Sequence, residues 1–309
     1  MKNKKALEFN FSWIFAIIVG AVIIFLAIYA TVNIVRTSRV ESDTKIAAQL
    51  GIILNPVETN LEESKYVVVK FPDETRVFNT CRNTGNFGRQ IISASVKSRI
   101  GEEFQEPKVE NFFFNKYIFS EKVEQGKELH VLAKPFEMPY KVADLIFAST
   151  KKYCFVNPPD EIKDEITDLY IKIINISSSE ALCPINSIKV CFEKTGCDIN
   201  VNTRSKIVIK DSRQLHYEGN LIYGAIFAEP EIYECQVQRL MKRTSELAHL
   251  YAEKTKFLST KGCSSNLASD LVDYASIVKE VNNSKDLSNV VSASEIISKK
   301  NENLICELF

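Results

Sequence analysis

Apolar and polar positions follow three successive patterns along this chain, and each predicts a different kind of element. Residues 11–35, FSWIFAIIVGAVIIFLAIYATVNIV, contain no charged side chain. About 20 apolar residues are enough to cross a bilayer's hydrocarbon core. A helix lying on a soluble core would keep a polar stripe, and this segment is apolar all round. It predicts a transmembrane helix, with Trp13 and Tyr29 placed for the two headgroup belts. Beyond it, Val40, Ile46, Ala47, Leu50 and Ile53 keep approximate helical spacing as far as Asn55-Pro56, which predicts a helical stalk over 36–56.

From 57 to 228 the pattern becomes short runs rich in Val, Ile, Phe and Tyr: YVVVKF, RQIISASVKS, FFFNKYIF, ELHVLAKPF, KVADLIFAS and KKYCFV. FPDE, NTGNFG, EQGK and NPPD stand between them as turn chemistry at strand spacing. After PPDEIKDEITDL (158–169), a short amphipathic helix opened by proline, a second group follows: YIKIINIS, SIKVCF, CDINV, SKIVIK and LIYGAIFA. This is a β-rich domain. Over 229–309 the period changes to 3.6. Tyr233, Val237, Leu240, Leu247, Tyr251 and Leu258 mark one face of a long helix begun at Pro230 and capped at Gly262. Two further amphipathic helices, near 266–281 and 286–304, have Ser265 and Ser284 as candidate N-caps. The expected fold class is α+β: a short tail (1–10), a transmembrane helix (11–35), the stalk (36–56), a β-rich exoplasmic domain (57–228) and a C-terminal helical hairpin or three-helix array (229–309).

Composition changes this picture little. Of 309 residues, 45% are hydrophobic and 25% charged, as in ordinary folded proteins. Lys+Arg and Asp+Glu are equal at 39 each, which leaves no positive footprint for nucleic acid. The apolar run is longer than a signal-peptide core and lacks a small-x-small site at its end, which favours an uncleaved anchor. A pilin-type leader cut at Lys5-Ala6 is the competing arrangement, and Glu8 lies before the apolar run rather than within it. Lys2, Lys4 and Lys5 precede the helix, while Arg36, Arg39 and Lys45 follow it. The short basic tail favours the N-terminus in the cytosol and the domain outside the cell membrane.

All eight cysteines follow the apolar run: Cys81, Cys154, Cys183, Cys191, Cys197, Cys235, Cys263 and Cys306. An even number in an exoplasmic domain reads as disulfides. A continuous long helix would hold Cys235 and Cys263 about 40 Å apart, beyond the roughly 7 Å that a disulfide allows between Cα atoms. A returning third helix would instead bring Cys306 to Cys263, and Cys235 would look to the β domain. Cys81 and Cys154 are candidates for each other, both lying in the first strand group. KVCFEKTGCDINV predicts a short hairpin in which Cys191 and Cys197 bond if the register sets them on one face; otherwise Cys183 takes one of them. A zinc site using Cys183, Cys191 and Cys197 lacks the paired C-x2–4-C knuckles.

Other chemistry is sparse. Asp160, Glu161, Asp164, Glu165 and Asp168 read as a solvated helix face with acids near its positive end, without the glycine and spacing of a calcium loop. No H-E-x-x-H, G-x-S-x-G, Walker A, C-x-x-C or strand-linked G-x-G-x-x-G occurs. NTGNFG is better explained as a hairpin turn than as a glycine loop. His130, His216 and His249 have structural contexts. No metal, cofactor or catalytic residue is assigned. Asn175-Ile-Ser177 and Asn282-Asn283-Ser284 form N-glycosylation triplets.

FNFSWIFAIIVGAVIIFLAIYA, KPFEMPYKVADLIF with KKYCFV, and EPEIYECQVQRLMKR followed by KGCSSNL resemble a family of membrane-anchored archaeal proteins with no assigned activity. The resemblance spans nearly the whole chain. It implies an anchored surface protein and no site residues. The expected function is a single-pass surface protein whose disulfide-bonded domain binds or assembles with envelope components, through a protein partner or by self-association. A pilin-like subunit and an anchored exoplasmic hydrolase without a recognisable motif are the alternatives.

Overall fold

The computed structural model describes residues 13–34, 64–97, 104, 107, 110–263 and 265–309. The tail 1–10, with Lys2, Lys4 and Lys5, and the expected stalk 36–56 lie outside these residues. Helix α1, Trp13–Ile34, has 22 residues, about 33 Å at 1.5 Å per residue. It is long and apolar enough to cross a membrane.

The rest is α+β. Its first sheet joins β1 (Lys65–Arg82), β2 (Arg89–Val96), β3 (Asn111–Phe113), β4 (Tyr117–Phe119), β5 (Val123–Glu137) and β6 (Lys141–Ser149) in the order β3-β2-β1-β5-β6-β4. The turn expected at FPDE is instead a disruption inside β1. Lys70 pairs with Glu128 and Thr75 with Gly126, so four residues on β1 face one on β5. The expected EQGK turn lies within β5, where Lys127 is opposite the bulge and Glu124, Gln125 and Gly126 pair with Val77, Arg76 and Thr75, and both strands run on through it. A bulge adds local twist and bend without ending a strand.

FFFNKYIF is not one strand. It divides into β3 and β4 at opposite edges of the sheet, joined only by residues 114–116. A flat six-stranded sheet would separate its edges by about 24 Å, whereas four Cα steps span at most about 14 Å. The sheet therefore curls into a barrel-like shell around Val69, Val77, Ile92, Ile118, Val131 and Ile146.

Side-chain amides close the seam of this shell. The Ile118 N–H donates to Gln90 Oε1 at 3.4 Å, and the Ile118 carbonyl accepts from Asn79 Nδ2 (3.2 Å) and Gln236 Nε2 (3.0 Å). Arg239, fully buried, donates to the main-chain carbonyls of Lys116 (2.8 Å), Phe114 (3.0 Å) and Phe87 (3.2 Å), and to Gln236 Oε1 (2.8 Å). Burial pushes its pKa down to about 10. Gly88 (φ +58°) sits where a Cβ would meet the Arg82 carbonyl at 2.5 Å and the Arg239 stem at 2.9 Å, so glycine is required in this β1–β2 turn.

The second sheet comprises β7 (Tyr153–Val156), β8 (Ile174–Ser177), β9 (Ile188–Phe192), β10 (Ile199–Asn202), β11 (Ile207–Lys210) and β12 (Arg213–His216), ordered β12-β11-β10-β9-β7-β8. Strands β7–β10 are parallel neighbours, and α2 (Asp160–Asp168) links β7 to β8. LIYGAIFA, expected as a strand, is helix α3 (Leu221–Phe227), with all seven residues buried. A short run that is apolar throughout carries no period to separate helix from strand. Its Gly224 lies against the Phe119 ring, where a Cβ would approach Cδ1 to 2.6 Å.

Helix α4 (Pro230–Ser259) has 30 residues, about 45 Å. Tyr233, Val237 and Leu240 are buried, and Leu247, Tyr251 and Leu258 pack against the same core. Its end is a Schellman turn: Gly262 has φ +88° and the Cys263 amide donates to the Leu258 carbonyl at 3.1 Å. Helices α5 (Leu267–Lys279) and α6 (Leu287–Glu302) follow. The Ser265 hydroxyl accepts from the Leu267 amide (3.2 Å). At Ser284 the capping role passes to Asn283 and Asp286, which form a capping box. Ser284 is instead held by both carboxylate oxygens of Glu234. One core runs through both sheets and the helices, from Phe147 and Phe155 to Leu240, Tyr274 and Val290.

Candidate binding groove and disulfide framework

The eight cysteines form four disulfides, Cys81–Cys235, Cys154–Cys183, Cys191–Cys197 and Cys263–Cys306, with Cα separations of 6.1, 5.8, 5.7 and 6.0 Å. Cys235 joins α4 to β1 one residue from Gln236, so the bond fastens the helix beside the barrel seam. Cys81 and Cys154 are therefore not bonded to each other. Cys263 and Cys306 link the end of α4 to the segment after α6.

The setting of Cys191 and Cys197 differs from a hairpin. Strands β9 and β10 are parallel, with Cys191 opposite Asn200. Parallel neighbours ordinarily need a crossover of a dozen or more residues; here residues 193–198 suffice. Glu193 (φ +58°) and Gly196 (φ +110°) turn the chain back, and the Glu193 amide donates to the Val201 carbonyl at 2.9 Å. The Cys197 amide donates to Asn200 Oδ1 at 3.1 Å. The disulfide pins this return segment against the sheet.

Cys154, Val156 and Cys191 form a small buried cluster with Cys183 and Cys197 on the face of the second sheet away from the main core. Parallel sheets normally bury both faces under helices. In this sheet, loops 178–187 and 193–198 cover Cys154, Val156 and Cys191 on the second face, and the two disulfides hold them there.

On the other side of α2 lies an open groove of ≈ 1130 Å³. It lies beyond the carboxyl ends of β7 and β10, where open α/β sheets place ligands. Glu165 on α2 is central. Its Oε1 lies 2.5 Å from Lys134 Nζ and 3.0 Å from the Ser64 hydroxyl, and its Oε2 accepts from the Tyr223 hydroxyl. Burial, followed by Glu165, pushes the Tyr223 phenol up. Lys206 pairs with Glu218 at 2.7 Å on the opposite wall. Burial, then Glu193 and Glu218, holds Tyr217 at about 12. Asp160, Glu161, Asp164 and Asp168 are exposed, so only Glu165 of the five α2 carboxylates enters the interior. Nothing in the sequence distinguished it, because its partners come from β5 and α3.

Among the described residues, no three His, Cys, Asp or Glu side chains are placed to share a metal ion. The Tyr66 hydroxyl and His130 Nδ1 are 2.5 Å apart, and burial pushes the imidazole pKa down. The cavity beside this pair is only ≈ 10 Å³, about one water. His216 lies on β12, where its amide and carbonyl bind Ser284 and Tyr233. His249 lies on the exposed side of α4.

Glu124 is a buried carboxylate that the sequence did not single out. Its Oε2 accepts from the Thr150 amide (2.8 Å) and hydroxyl (2.7 Å), while Oε1 is buried without a partner among the described residues. Burial raises its pKa, opposed by Thr150 and reinforced by Glu121. A carboxyl pKa raised on folding costs stability as pH rises from the unfolded value, 4.5, through the folded one. The Tm of Glu124→Gln relative to the unsubstituted protein is therefore expected to be higher at pH 7 than at pH 4, by roughly 2–4 °C for each kcal/mol of charge penalty removed. Equal shifts in melting scans at both pH values would refute this assignment.

Comparison of the chain with protein-family models, with curated proteins and with solved structures finds no match in any of the three.

Proposed function

We propose that this chain is a single-pass membrane-anchored protein whose α+β domain lies on the oxidising side of the membrane and acts as a binding or assembly module. The observation that carries the reading is the pairing of all eight cysteines into four disulfides behind one apolar helix. Disulfides persist outside the cytosol and are rare within it. The groove beside α2 supports the binding role: it is a broad concavity in which Lys134–Glu165 and Lys206–Glu218 pair within the fold, while the exposed carboxylates of Asp160, Glu161, Asp164 and Asp168 line it and face solvent.

Thiol alkylation of the protein in native membranes, before and after reduction, tests the compartment. All eight cysteines should resist labelling until reduced, and free thiols in the native protein would overturn the reading. Protease added to intact cells should remove the domain; complete protection places it inside. Amine-reactive crosslinking of the same membranes should shift the chain to larger species, whereas a chain that stays monomeric sinks the assembly role.

A further inference from the structure

We infer that Asn175 is an N-glycosylation site and that Asn282 is not; the inference rests on the domain lying outside the cytosol. Both triplets fit N-x-S, and the fold treats them differently. Asn175 is exposed on β8, an edge strand of the second sheet. It pairs with Cys154, and Ser177 pairs with Val156. Residues two apart on a strand share a face, so the amide and the hydroxyl are presented together on the disulfide-bearing side, away from the main core. Among the described residues, none is hydrogen-bonded to the Asn175 side-chain amide, while the Ser177 hydroxyl is held locally by Ser179 (2.8 Å to its carbonyl).

The second triplet is locked into the fold. Asn282 Nδ2 donates to the Glu280 carbonyl at 2.9 Å, its main-chain amide donates to Asp286 at 3.0 Å, and its carbonyl accepts from Gln238. Ser284 is fully buried, donating to Glu234 at 2.7 Å and accepting from the His216 amide at 3.0 Å. Presenting Asn282 and Ser284 to an enzyme would require breaking this whole turn.

The modification is a glycosyl transfer from a polyprenyl-phosphate or polyprenyl-pyrophosphate glycan. The Asn175 amide nitrogen bonds to C1 of the donor sugar and loses one proton. The C1–O bond to phosphate breaks, and the lipid phosphate leaves with that electron pair. A glycan at this position also shields an open sheet edge, which otherwise offers unpaired backbone groups to other chains.

Peptide mass spectrometry of the full chain purified from its native membranes tests the site. The peptide carrying Asn175 should bear a glycan mass that disappears in Asn175→Gln and in Ser177→Ala and persists in Asn282→Gln. An unmodified Asn175, or a glycan on Asn282, overturns the inference. Alkylation of the same sample separates the causes. If all eight cysteines resist labelling while Asn175 is bare, the glycosylation inference alone has failed; if free thiols accompany a bare Asn175, the compartment reading has failed with it.

Discussion

Arg239→Met is expected to lower stability by at least about 3 kcal/mol. Three carbonyls, of Phe87, Phe114 and Lys116, receive donors from this one buried guanidinium, and a buried acceptor left unmade costs about 1–3 kcal/mol. Tm should fall by roughly 6–12 °C or more. Arg239→Lys should recover little, because a single ammonium cannot reach three carbonyls spread across the β1–β2 turn and the β3–β4 link together with Gln236 Oε1 on α4. Thermal unfolding of both variants measures this. A loss below about 1 kcal/mol in the methionine variant would mean that the seam is held by strand packing rather than by α4.

Loss of the Cys81–Cys235 bond ranks second and should exceed the loss of Cys191–Cys197. Their sequence separations are 154 and 6. Loop-closure entropy assigns about 5 kcal/mol to the first and about 2 kcal/mol to the second. The paired serine variants, compared by urea midpoint, should differ by that margin. Equal losses would show that the short bond acts on the native state, by holding the β9–β10 return against the sheet, rather than on the unfolded chain.

Both effects centre on α4, whose role is only half legible in its residues. The 3.6 period of Tyr233, Val237 and Leu240 marks a buried face, and that face is where the core lies. Gln236 and Arg239 share the same stretch but look like ordinary surface residues of an amphipathic helix. They became buried because main-chain carbonyls far away in sequence needed donors at the seam: Ile118 for Gln236, and Phe87, Phe114 and Lys116 for Arg239. Glu165 is parallel in kind: one of five acids on a short helix, drawn inward by Lys134 and Tyr223.

Where the fold departs from the local pattern, the causes are equally local. FPDE and EQGK carry turn residues, yet each lies within a strand: FPDE is absorbed as a bulge opposite Lys127, and Glu124, Gln125 and Gly126 pair regularly with Val77, Arg76 and Thr75. Residues 112–119 look like one strand, since nothing in FFFNKYIF reveals that Asn115-Lys116 must jump across the sheet. KVCFEKTGCDINV carries hairpin punctuation but makes a parallel return.

Local pattern by itself determined the apolar helix over Trp13–Ile34, the long helix with its proline start and glycine end, most strand positions and the α+β class, because burial period and backbone preference are set by near neighbours. Only the tertiary structure decided which edges meet, which cysteines bond, whether residues 221–227 coil or extend, and which polar side chains turn inward. Those outcomes depend on groups brought together from distant parts of the chain, and no short-range pattern records such a meeting.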